Sequence, residues 1–197
     1  MRRVLSIIAV LLALTLVLSA DSVPAEHFTA MAVLPPSARA SSTVPLSINV
    51  RAYTDASTLT QLGDILADGQ DEDALLKKFE SMPGIGDVSR EGRIGVQVKV
   101  IRVSQTADGL REITMLTDRP IHFWEVLNSS PTVNYPFGMI RFTVNDKGDG
   151  NGKAYPMVKV KSISANDITV DDYGVIPVQL TIHQIHESRE WKEEGRQ

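Results

Sequence analysis

The stretch from Asp118 to Pro136 gathers Asp118, Arg119, His122, Phe123, Trp124, Glu125, Asn128 and Tyr135 between Pro120, Pro131 and Pro136. Carboxylate, guanidinium, imidazole and indole groups held this close can recognise a ligand by ion pairing, hydrogen bonding and stacking. The segment is long for a connection between two strands, and it concentrates aromatic and hydrogen-bonding groups of the kind found in binding clefts. Asp118, Arg119, His122, Trp124, Glu125 and Tyr135 are therefore the expected binding residues. A second reading stands beside this one: Phe123 and Trp124 plug one end of the core, and Asp118 and Arg119 form an ordinary ion pair.

Other constellations carry less chemistry. The tip Asn145-Asp146-Lys147-Gly148-Asp149-Gly150-Asn151-Gly152 has oxygen ligands of the kind calcium takes. Aligned as a calcium loop, however, Lys147 occupies the first ligand position and Val158 stands where a bidentate Glu belongs. It reads as a hairpin turn, because Gly, Asn and Asp tolerate positive φ. His183 and His186 are three apart, which would aim both rings at one metal on a helix, but the flanking period of two makes this a strand with the rings on opposite faces. No metal and no cofactor is expected. The chain has no HExxH, no G-x-S-x-G elbow and no Cys, so the usual zinc, serine and thiol hydrolase signatures are missing. The acids near Asp71 to Asp73 and at Asp171-Asp172 read as helix N-terminal charge and a strand-end turn. Gly84 and Gly86 lack the later glycine of a dinucleotide site and read as a turn.

The elements that must position these residues follow from periodicity. Leu46, Ile48, Val50 and Ala52 alternate with polar residues as a half-buried strand. Thr54 or Asp55 then caps a helix bearing Leu59, Leu62, Ile65 and Leu66, and Asp68-Gly69 ends it. Asp71, Glu72 and Asp73 begin a second helix with Leu75, Leu76, Phe79 and Met82 on one stripe, stopped by Pro83-Gly84. From Ile94 the period of two returns through Val96, Val98 and Val100, then switches parity to Ile101 and Val103, which predicts a bulge. Asp108-Gly109 turns the chain into a return strand, Leu110 to Thr117. Ile140, Phe142 and Val144 alternate, as do Val158 and Val160. Asn166-Asp167 is a turn, Ile168 and Val170 form a short strand, and Ile176, Val178, Leu180 and Ile182 a last one. The expected fold is α+β, mainly β: an antiparallel β-sandwich or flattened barrel of about seven or eight strands, with a helical hairpin inserted after the first strand.

The N-terminus reads as an export signal. Arg2 and Arg3 precede an apolar run, Val4 to Leu18, broken only by Ser6 and Thr15, and Val23-Pro24-Ala25 offers a small-residue cleavage pattern, with Ala20 as a second cut. Left uncleaved, the run is somewhat short for the roughly 20 residues that span a bilayer, yet residues 4–20 would then serve as an anchor. The domain reading is a signal peptide over 1–25, a Pro/Ser/Ala-rich spacer over 26–43 with a loosely attached first strand as the alternative, one β-rich globular domain over 44–186, and a charged tail over 187–197. Of 197 residues with net charge −4, removal of 1–25 takes Lys plus Arg from 20 to 18 and Asp plus Glu from 24 to 23, leaving about −5. Both signs are interspersed, which suits solubility and leaves no basic stripe for nucleic acid.

The order of the pieces resembles a family of small exported bacterial proteins with no assigned activity. The resemblance rests on Tyr53-Thr54-Asp55, Asp73-Ala74-Leu75-Leu76, Met82-Pro83, Thr117-Asp118-Arg119-Pro120-Ile121, Phe123-Trp124-Glu125 and Tyr135-Pro136-Phe137. It implies export and a shared fold, and it transfers no site. The functional expectation is a periplasmic or envelope binding domain without catalysis, whose partner is a small ligand, a glycan or an envelope protein. The alternative is an envelope hydrolase whose site assembles only in three dimensions.

Overall fold

The computed structural model describes residues 25–34, 43–67, 72–90, 93–121 and 135–185. In chain order these form β1 (Glu26–Val33), β2 (Thr43–Val50), α1 (Ala56–Ala67), α2 (Glu72–Ser81), β3 (Gly86–Arg90), β4 (Val96–Gln105), β5 (Arg111–Thr117), β6 (Phe137–Val144), β7 (Asp149–Ile163), β8 (Ile168–Tyr173) and β9 (Val178–Ile185). Strands β6-β5-β4-β3-β2-β1-β9-β7 are hydrogen-bonded side by side, and β6 pairs with β7 to close an eight-stranded antiparallel barrel. The long β7 contributes its first half to the barrel, while its second half leaves the wall and pairs with β8.

Alternation fills the interior. Phe28, Ile48, Val98, Ile101, Ile113, Met115, Phe142 and Ile182 point inward and are almost wholly buried, and Phe28 meets Phe142 edge to face at 5.2 Å. An eight-stranded barrel has an interior just wide enough for side chains to fill. A second core lies outside the wall. Leu59, Leu62 and Leu66 of α1, with Leu75 and Phe79 of α2, pack on Val100, Leu116, Phe137, Met139, Val158 and Ile168. Strand β5 is thus covered on both faces, and every residue from Ile113 to Thr117 is buried.

Local chemistry explains these elements. Asp55 caps α1 by accepting the Thr58 amide at 2.9 Å and both neighbouring hydroxyls. Those hydrogen bonds, Ser57's foremost, hold its carboxyl well below the usual range. Thr54 instead ties the helix entry to β4, its Oγ1 accepting the Ile101 amide at 2.9 Å. The predicted parity switch falls earlier than expected: the register slips between Val98 and Val100, so Val98 and Ile101 fill the barrel, while Val100, expected inward, turns to the outer core and Val103, also expected inward, is exposed. Both hairpin glycines have positive φ, 78° at Gly109 and 81° at Gly148, a backbone region where a Cβ is strained. The 145–152 tip is a turn in which Asn145 Oδ1 accepts the Lys147 and Asp149 amides.

Three expectations need correction. Residues 26–33 are no spacer: they form β1, paired along their length with β2 and β9. The two helices accordingly follow the second strand of the chain. Gly86 opens strand β3, so the turn read at Gly84 and Gly86 ends one residue earlier than its second glycine. Ile94, expected inward, is 99% exposed because it sits before β4 begins, and Ile176 is likewise outside β9 and exposed.

Candidate functional site

The register of β5 and β6 sets Thr117 opposite Gly138, so the segment 118–136 leaves and re-enters the barrel at one point of its rim. That point is tightly built. Thr117 Oγ1 accepts the Gly138 amide at 2.9 Å and donates to the Arg119 carbonyl at 2.5 Å. A Cβ on Gly138 would fall 2.8 Å from Thr117 Oγ1 and collide with Ile121 as well. Ile121 is buried, and its amide donates to the Pro156 carbonyl at 2.9 Å.

Of the six residues expected to bind, the structure places Asp118, Arg119 and Tyr135; His122, Trp124 and Glu125 lie outside the described residues. Asp118 faces the C-terminal end of α2. Its Oδ2 is 3.5 Å from Nζ of the buried Lys99, which donates to the Met82 carbonyl at 2.9 Å. Arg119 Nε stands 3.9 Å from Asp118 Oδ1, beyond hydrogen-bond reach, and Oδ1 accepts no hydrogen bond although it is shielded from solvent. Asp118 is more than half of a surface ion pair: one oxygen is held by the bulge lysine and the other is an unused acceptor.

Tyr135 belongs to a cluster on the outward half of β7 and on β8. Its hydroxyl donates to Asp172 Oδ2 at 2.8 Å, and Lys159 Nζ lies 5.8 Å from its ring centroid. That hydrogen bond raises the Tyr135 pKa and lowers that of Asp172. Beside them Tyr155 and Tyr173 meet edge to face at 6.0 Å, with Tyr173 48% exposed. Three of the chain's four tyrosines thus lie on this ribbon or beside it: Lys159 pairs with Asp172 and Val158 with Tyr173, so Tyr135, Asp172 and Lys159 mark one face, and Tyr155 and Tyr173 the other. Lys159 also faces Glu72 in the first turn of α2, whose carboxyl is pushed up chiefly by burial. Sequence reasoning named only Tyr135 here. Tyr155, Lys159 and Tyr173 sit on strands where alternation marks them as outward, and nothing local says that β8 folds beside β7.

Elsewhere the described histidines bond to Asn49 and Asp149 rather than to a hydroxyl. His27 Nδ1 lies 2.6 Å from Asn49 Oδ1, and His183 Nδ1 pairs with Asp149 Oδ1 at 2.8 Å. His186 lies outside the described residues. No group of three or more His, Cys, Asp or Glu among the described residues could hold a metal ion. A second polar cluster lines the opposite rim, where buried Glu26 accepts from Tyr53 at 2.6 Å, Arg111 at 2.5 Å and Gln184 at 3.1 Å. Its donors leave no carboxylate oxygen without a partner, so it reads as a closed structural network. Comparison with family models, with curated proteins and with solved structures finds no match.

Proposed function

We propose that this protein is an exported binding domain that takes a glycan on the tyrosine surface beside segment 118–136, without catalysis. The observation that carries the reading is the density of aromatic and charged groups about the edge strand β8, Tyr155 with Tyr173 on one face and Tyr135 with Asp172 and Lys159 on the other, on a barrel whose interior is already filled. Exposed aromatic rings offer flat apolar faces to the C–H groups of a sugar, and a carboxylate and an ammonium hydrogen-bond its hydroxyls. The two helices are taken as one hairpin that supports this rim from outside.

Titration with a chitin trisaccharide, followed by amide NMR shifts, tests the reading. Saturable shifts at Tyr155, Lys159 and Tyr173 are expected, lost in Tyr173→Ala and weakened in Asp172→Asn without a change in melting temperature. Equal affinity in both variants would sink the assignment. Recovery of cleaved sugar after incubation would instead favour the hydrolase.

The export reading is supported by the start of β1 at Glu26, directly after the Val23-x-Ala25 pattern. Mass spectrometry of protein recovered from the secreting cell should find Glu26 at the N-terminus. Met1 retained on membrane-bound protein would make residues 4–20 an anchor.

A further inference from the structure

We propose that the outer face of β1-β2-β3 carries a second site, a groove for a small molecule bearing a phosphate- or sulfate-type oxyanion beside an apolar group. Ser47 on β2 lies opposite Thr29 on β1 and Ser89 on β3, so three hydroxyls stand in one row across three strands. Their neighbours Phe28, Ala30, Leu46, Ile48 and Val88 fill the barrel. Alternation therefore turns the row outward.

Above this row lies a groove of about 560 Å3, within the range of small-molecule sites. Its wall comes from Arg90 at the end of β3, from Arg93 and Ile94 ahead of β4, and from Pro45 near the start of β2. The described lining residues include two cations and no acid, on a protein of net charge −4. The Ser47 and Ser89 hydroxyls and the Arg90 guanidinium make no hydrogen bond or ion pair with any described residue. These donors are thus available to a ligand. A guanidinium fork matches a tetrahedral oxyanion, and hydroxyls on a paired sheet are held in place before the ligand arrives. Ile94, 99% exposed, and Pro45 supply the apolar flank.

Phenyl phosphate, titrated into the full-length mature protein and followed by amide NMR shifts, tests this. Saturable shifts centred on Thr29, Ser47, Ser89 and Ile94 are expected. Arg90→Ala should weaken binding about tenfold or more, and Ser47→Ala with Ser89→Ala should weaken it further. Melting temperatures of these variants should stay unchanged, since the groups they remove have no hydrogen-bond or ion-pair partner among the described residues. Benzyl alcohol at the same concentration should leave the groove unshifted, and Tyr173→Ala should bind phenyl phosphate normally, which separates this site from the tyrosine surface. Absence of saturable shifts, or full affinity in the folded Arg90→Ala variant, would overturn the proposal. Benzoate binding as tightly as phenyl phosphate would remove the tetrahedral oxyanion from it.

Discussion

Single side chains in this protein carry opposite responses to pH. Asp55 has a folded pKa below its unfolded value, so the α1 cap stabilises the fold above the ordinary carboxylate range and is lost as pH falls through it. Glu72 is shifted the other way by burial, so its proton favours the folded state and its contribution fades as pH rises above its ordinary value of 4.5. Asp55→Asn should lower the melting temperature at pH 7 and show less loss on acidification. Glu72→Gln should remove the decline between acid and neutral pH. Melting curves from pH 1.5 to 7 distinguish the two, with the Asp55 loss below its ordinary value of 3.8 and the Glu72 decline above 4.5. At the other rim, Arg111→Ala strips Glu26 of its cation. The cost should be about 1–3 kcal/mol by urea unfolding, below that of a fully enclosed pair because Arg111 is 36% exposed. The Asp55 cap was readable from residue type and position. The partnership of Glu26 was not, since its contacts come from Tyr53, Arg111 and Gln184, far away in the chain.

Among the elements, those with strong alternation or a helical stripe are legible from sequence: β2, β4 with its bulge, β5, β6, β9 and both helices. Strand β1 is hidden because the residues it turns inward after Phe28 are Ala30 and Ala32, small side chains that give little contrast. Strand β3 is hidden because Val88 is its one large apolar residue. The wall shared by the two cores gives the sharpest test. Leu116 faces the helices and Met115 faces the barrel, both buried. Leu116→Ala should cost about 2–5 kcal/mol, whereas Val103→Ala, on the exposed end of β4, should change the urea midpoint little. Gly138→Ala should cost about 1–3 kcal/mol through crowding against Thr117 and Ile121. Because those residues root segment 118–136, the same variant should weaken ligand capture at the tyrosine surface.

For the molecule as a whole, the antiparallel class follows from turn spacing; the nine described strands exceed the seven or eight expected because β1 and β3 are hidden, and closure into a barrel is not legible because it depends on which strands meet across long separations. Two arginines show how the pieces beyond the barrel are held. Buried Arg102 donates to the carbonyls of Ala165 and Asn166, and Arg141 to Asp167 and the Ile168 carbonyl, which clips the β7–β8 turn over the wall. Removing both side chains should loosen β8 and expose the second core while the barrel persists, read as faster amide exchange at Ile163 to Val170 alone. The pairing of β1 with β9 has a further consequence. His27 to Val33 pairs with Gln179 to Ile185, so the first and last described strands of the barrel lie against each other. A growing chain cannot complete the ring until its final strand has left the ribosome. Until then it carries two open strand edges and an unfilled interior. A chain ended after Gly174 should show no cooperative unfolding transition. Such a clasp keeps the nascent polypeptide threadable until β9 has been made, and it leaves any product that stops short of β9 open to the proteases that patrol for loose chains.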